Sequence, residues 1–222
     1  MYTYAFLFNS GLLPELPEGI WGSLELIGAD RLAALVEPGL SAEALQQSDR
    51  QLMQAVLSHD RVIQEVFQQT TVLPLRFGTY FISRQGLLDH LYANQQTYID
   101  KLTQLQGKAE YVLKLNPLPF PEAAIAAETT GKDYFLAKKQ RYQDQTSWQQ
   151  QQQAELNRLT RLLETQYVWS RAEPDSTAST TERIYLLADG DRSLQEQLPT
   201  WQQQCPSWEL VLGEPLPPYH FV

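Results

Sequence analysis

Cysteine occurs once in 222 residues, histidine three times and methionine twice. A lone cysteine, Cys205, excludes a disulfide within the chain. His59, His90 and His220 lie far apart, so no metal-ligand spacing is present. No stretch approaches the ~18 uninterrupted apolar residues of a membrane-spanning helix. Cations are scarce: 17 Lys and Arg against 26 Asp and Glu give a net charge of −9. Binding a phosphate backbone by counterion release needs the opposite sign, so no nucleic-acid partner is expected. The opening Met-Tyr-Thr-Tyr-Ala-Phe-Leu-Phe lacks the basic residues of a secretory signal and reads as a strand. What these absences leave is a soluble, acidic, cytoplasmic protein with no metal, no cofactor and no membrane partner.

What is present suffices for a core. Hydrophobic residues make up 43% of the chain, and its length suits two small domains of about 100 residues each. Tyr2–Phe8, Trp21–Ile27 and Leu32–Val36 read as three short strands separated by turn residues. Ser41 sits where an N-cap belongs. Leu45, Leu52, Val56, His59, Ile63 and Val66 then recur as one face of a long helix. Val72–Phe81 is strand-like but interrupted by Pro74, which suggests an edge or a bulge. Ser83 opens another helix, with Leu87, Leu91, Tyr98, Leu102 and Leu105 on one face and Gly107 as its stop. Residues 1–106 thus read as a small mixed domain of order β-β-β-α-β-α.

Residues 107–222 read as β-α-β-β-α-β, the split βαβ order called ferredoxin-like. Their strands are Ala109–Leu115, Tyr167–Ala172, Ile184–Ala188 and Trp208–Leu212. A very long helix is expected from about Asp133 to Gln166, apolar at both ends and glutamine-rich over Gln149–Gln153. At 1.5 Å per residue it would run roughly 50 Å, so its middle should project or bend. Glu173–Thr181 reads as a polar, mobile connection. Pro199 argues for a kinked or restarted second helix. The tail Leu216–Val222 is apolar and stiffened by proline, suited to docking across a domain seam or to being offered to a partner. The fold class is α+β.

Chemistry is sparse. No G-x-S-x-G elbow, phosphate-binding loop or dinucleotide fingerprint occurs. Cys205 reads as a small buried hydrophobe rather than a reactive thiolate. His59, on the apolar stripe, reads as a satisfied core histidine rather than a base or ligand. Asp89 and His90 read as part of a solvated face. Asp189 and Asp191 flank Gly190 in a turn, two carboxylates that fall short of a calcium loop. Arg76, inside an apolar segment, reads as a paired or snorkelling arginine, with an interaction anchor as the second reading. Glutamine occurs 26 times, largely on polar helix faces, which suits weakly charged protein contact or plain solvation.

Four segments in order carry a resemblance. They are Val72-Leu73-Pro74-Leu75-Arg76-Phe77-Gly78-Thr79 after a long helix, Gly107-Lys108-Ala109-Glu110-Tyr111, Gly131-Lys132-Asp133-Tyr134-Phe135, and Pro217-Pro218-Tyr219-His220-Phe221-Val222. With the aromatic first strand, they resemble the GvpL/GvpF family of gas vesicle proteins over the whole chain, most of all its cyanobacterial GvpF members. The resemblance implies a non-enzymatic minor vesicle protein acting in gas vesicle assembly. It implies binding of the main shell protein GvpA, which it would keep from aggregating during nucleation, and residence in the gas vesicle. It also implies two domains, the second ferredoxin-like with a helical extension. The family carries no catalytic motif, so no catalytic, cofactor or metal residue transfers. The alternative reading is a small-molecule-binding regulatory protein using the ferredoxin-like half.

Overall fold

The computed structural model describes residues 1–11, 14–45, 48–121, 131–172, 181–190 and 194–222. The chain divides into two compact units. The first holds Met1–Glu110, Asp189–Asp191 and Pro215–Val222; the second holds Tyr111–Ala188 and Arg192–Glu214.

In the first unit, β1 (Tyr2–Phe8), β2 (Glu25–Ala29), β3 (Leu32–Glu37), α1 (Ala42–Leu45), α2 (Asp49–Phe67), β4 (Val72–Pro74), α3 (Arg84–Ala93) and α4 (Gln95–Leu105) follow in order. The antiparallel sheet has the order β2-β3-β1-β4. β1 and β3 are buried along nearly their whole length, because α2 covers one face of the sheet while α3 and α4 cover the other. Period-two alternation sends Ala33 and Leu35 to the α2 side and Leu32, Ala34 and Val36 to the other. The register of β1 shifts between Thr3 and Ala5. That bulge lets Tyr2 and Tyr4 face α2 while Phe6 meets His90 of α3 and Tyr98 of α4.

Both expected helices of this unit are divided. Ser48 restarts the first, its side chain accepting from the Gln51 amide. The buried stripe of α2 is Ala55, His59, Val62, Ile63 and Val66; Leu52 and Val56, expected on that stripe, are exposed. The second helix breaks at Asn94, whose backbone leaves helical geometry and whose amide side chain donates to the His90 carbonyl. β4 lies at the sheet edge, where Pro74 costs no ladder bond. β2 starts at Glu25 rather than Trp21, the residues before it being folded into a loop.

The second unit takes its sheet from β5 (Lys108–Pro117), β6 (Val168–Arg171), β7 (Glu182–Asp189) and β8 (Trp208–Leu212). Their order is β6-β7-β5-β8, so β7 lies between the two strands joined by the long helix. This is the split βαβ arrangement of a ferredoxin-like sheet. That helix is α5 (Lys132–Gln166), and α6 (Leu198–Gln204) is the second. Pro199 sits in the first turn of α6, after a separate 3₁₀ turn at Leu194–Glu196. There it lacks only an N–H that the helix would not have used. β8 alternates strictly, burying Trp208, Leu210 and Leu212 and exposing Glu209 and Val211, the mark of a sheet packed on one face. The expected connection Glu173–Thr181 falls almost wholly outside the described residues, as does Asp191.

α5 is one uninterrupted helix of 35 residues, about 50 Å long. Only its second half packs: Glu155, Leu156, Leu159 and Leu163 are buried. The expectation that the glutamine-rich middle projects or bends is therefore corrected: the first half of the helix, not its middle, is the part left exposed. Nothing in the described part of residues 132–147 is buried, and packing begins at Trp148, whose indole N–H donates to the Leu118 carbonyl, and continues through the glutamine run. Gln152 donates to the carbonyls of Leu118 and Ser207, at 2.9 and 3.0 Å. A small sheet covers a few turns of a helix, and the rest must extend beyond it.

Candidate functional site

Among the described residues three carboxylates are buried, at Glu37, Glu110 and Glu155. Sequence reasoning singled out none of them. Glu37 closes an apolar strand and Glu110 opens one, and that placement is the available signal, since a buried carboxylate must find donors; Glu155, among glutamines, carries no such signal. Glu37 accepts from the backbone amides of Ile20, Trp21 and Gly22 at 2.8, 2.9 and 2.6 Å, and from the Tyr4 hydroxyl. A Cβ at Gly19 would collide with this carboxylate and with the Gly22 carbonyl. The loop depression of about 470 Å³ lined by Leu16–Leu24 thus rests on an acid whose lone pairs are already taken. Glu110 accepts from the backbone N–H and Nδ1 of His220, at 2.8 and 2.7 Å. With Tyr219 donating to Asp60 at 2.6 Å, it ties the C-terminal tail to the first unit. Glu155 takes the amide and hydroxyl of Ser207. All three acids hold loops in place.

The residues that sequence analysis weighed as chemical are likewise absorbed. The Leu75 carbonyl can only accept, so His59 carries its proton on Nε2 (3.1 Å) and takes the Tyr2 hydroxyl proton at Nδ1 (2.8 Å). The ring stacks on Tyr4, and burial holds its pKa below the usual histidine range. Burial also pushes the Tyr2 and Tyr4 hydroxyls well up, so both stay protonated donors. Cys205 is fully buried with its thiol toward the Glu155 carbonyl, and burial raises its pKa to about 11. At neutral pH it is a thiol and not a nucleophile.

His90 corrects an expectation: it is half-buried among Phe6, Phe81 and Tyr98, its Nε2 2.7 Å from the Tyr98 hydroxyl. Arg76 corrects another. β4 stops at Pro74, and Arg76 is exposed in the turn whose carbonyl takes the Thr79 amide. Asp89 is exposed and accepts from Gln85; Asp189 is exposed beside Gly190. No group of three potential metal ligands occurs among the described residues.

Among the described residues, α2 leaves Leu52, Met53, Val56 and Leu57 exposed, and the first half of α5 leaves a larger, aromatic stretch. Phe135 and Tyr142 are 72% and 61% exposed, and Tyr134 and Leu136 are exposed with them. Large apolar groups concentrated on one projecting element mark a contact surface. The sequence names these side chains, but only the tertiary structure reveals that they stay exposed among the described residues.

Comparison with known proteins agrees along the full length. The model of the family described as gas vesicle synthesis protein GvpL/GvpF matches residues 1–222. Gas vesicle protein F of Streptomyces sp. (strain CB03234) is 27% identical over 248 aligned positions, covering 100% of both chains. The crystal structure of GvpF from Anabaena sp. PCC7120 superposes with a TM-score of 0.68 at 15% identity, covering 99% of this chain and 94% of that one. GvpF from Microcystis aeruginosa gives 0.67 at 14% identity, with 99% and 97% covered. At these identities the two structures speak for the fold, a two-domain α+β arrangement. The family follows from the full-length match: the chain belongs to the GvpL/GvpF family of gas vesicle synthesis proteins.

Proposed function

We propose that this protein acts in gas vesicle assembly as a non-enzymatic binding protein. It associates with the main shell protein GvpA and limits its aggregation while the vesicle nucleates. The observation that carries this reading is the exposed aromatic stretch of α5, in a family defined by vesicle synthesis. A shell subunit with a large apolar patch self-associates, and a partner covering that patch lowers the free concentration that drives aggregation. The buried acids, the satisfied His59 and the protonated Cys205 offer catalysis no free group. The reading carries with it residence at the gas vesicle, with other vesicle proteins as further partners.

Co-expression with GvpA tests it. The expected result is a stable complex and a larger soluble fraction of GvpA than in its absence. No complex, with GvpA equally insoluble, would reject the reading.

A further inference from the structure

Charge in this chain is unevenly spread. Residues 132–147 hold Lys132, Lys138, Lys139 and Arg141 against two aspartates, a net of +2. The chain's −9 therefore leaves −11 for all other residues. Half of its six lysines lie in these few turns. The distribution within the helix is also uneven. At 100° per residue, Phe135, Lys139, Tyr142 and Thr146 fall within about 60° of arc, flanked by Lys132 and Lys138. Asp144 lies diametrically opposite Phe135. The stripe that packs in the second unit, Gln152, Leu159 and Leu163, lies roughly 100° away round the helix. Phe135, Lys138, Lys139, Tyr142, Thr146 and Gln150 together line one open depression.

Resting on the reading above, we propose that this face of α5 is the docking surface for an acidic amphipathic helix of the partner protein. The partner's apolar side chains lie over Phe135 and Tyr142, and its carboxylates meet Lys132, Lys138 and Lys139. The charge pattern chooses this occupant. Two such arms repel each other, so arm-to-arm pairing between copies is disfavoured. An acidic partner is repelled by a body of net −11 unless it meets a locally positive surface. The arm supplies one: along the helix Lys132 stands about 24 Å, and Lys138 and Lys139 about 14 Å, from the packed half of α5, each more than one Debye length at physiological salt.

The test uses the full chain, its K138E/K139E and F135A/Y142A variants, and two synthetic amphipathic helices, one of Leu and Glu and one of Leu and Lys. All altered positions are exposed, so circular dichroism should show unchanged folding. The wild type should bind the Leu–Glu helix about tenfold more tightly than the Leu–Lys helix, more so at low salt. K138E/K139E should reverse that preference, and F135A/Y142A should weaken both. Absence of a preference, or one that K138E/K139E leaves in place, overturns the proposal. So does a wild-type dimer by light scattering that K138E/K139E abolishes, since the occupant is then a second copy. Binding to phosphatidylserine vesicles lost in the same variant overturns it too, in favour of a lipid surface. Co-purification separates the two readings. If K138E/K139E captures GvpA as well as the wild type does, the docking surface is wrong while GvpA binding stands. If the wild type captures no GvpA yet prefers the Leu–Glu helix, the docking chemistry stands and the identity of the partner is wrong.

Discussion

The aromatic side chains of β1 and those in the first turns of α5 share a chemistry and differ in surroundings. Tyr2 and Tyr4 are wholly buried, edge-to-face with each other, with hydroxyls bonded to His59 and Glu37. Phe135 and Tyr142 stand in solvent. The difference does not come from local hydrophobicity, since Tyr134-Phe135-Leu136 is a more apolar triplet than the buried Tyr2-Thr3-Tyr4 of β1. It comes from what lies opposite. β1 is central in a sheet covered on both faces, whereas the first half of α5 extends beyond the sheet of its own unit. An exposed aromatic stretch costs solubility, so retaining one on a projecting helix is best explained by a partner that covers it.

Breaking the buried side of this comparison should give the largest effects. Glu37→Ala leaves three loop amides and the Tyr4 hydroxyl without their acceptor. It should cost about 3–4 kcal/mol in chemical denaturation, the cost of unpaired buried donors. Leu159→Ala, in the packed half of α5, should cost about 3 kcal/mol through transfer and cavity terms. Tyr2→Phe removes the donor to His59 Nδ1 and should cost about 1–1.5 kcal/mol.

A pH series sharpens the same contrast. His59 has a folded pKa below its ordinary value of 6.5. Below that value the unfolded chain binds a proton that the folded chain resists, so stability should fall as pH drops from about 6.5 toward the folded pKa. His59→Gln should flatten that slope in denaturation curves taken across this range. The exposed side should move least: Phe135→Ala and Tyr142→Ala should each stay within about 0.5 kcal/mol of the parent. A loss near that of Leu159→Ala would show that the arm is packed after all, and the contrast would collapse.

Much of the fold was legible. β1, β8 and the extent of α5 lie where the hydrophobic pattern put them, because strand alternation and helical periodicity are local properties. The divisions of the helices were not. Ser48 and Asn94 act by offering side-chain bonds that compete with the helix, and whether they win depends on what lies beneath. Arg76 was misplaced because an apolar neighbourhood suggests burial, while Pro74 ends the strand two residues earlier. The carboxylate clasps were not legible because their partners lie 15 to 33 residues away for Glu37, 52 for Glu155 and 110 for Glu110.

By itself, then, the sequence determined the α+β order, the acidic charge, the absence of a catalytic motif and the likeness to its family. All of these are written in residue types and short spacings. Tertiary structure alone decided which acids became clasps, that His90 sits half-buried among aromatic rings and which half of one long helix stayed exposed. Those outcomes depend on distances between segments remote in the chain, and on how far a four-stranded sheet reaches along a helix roughly 50 Å long.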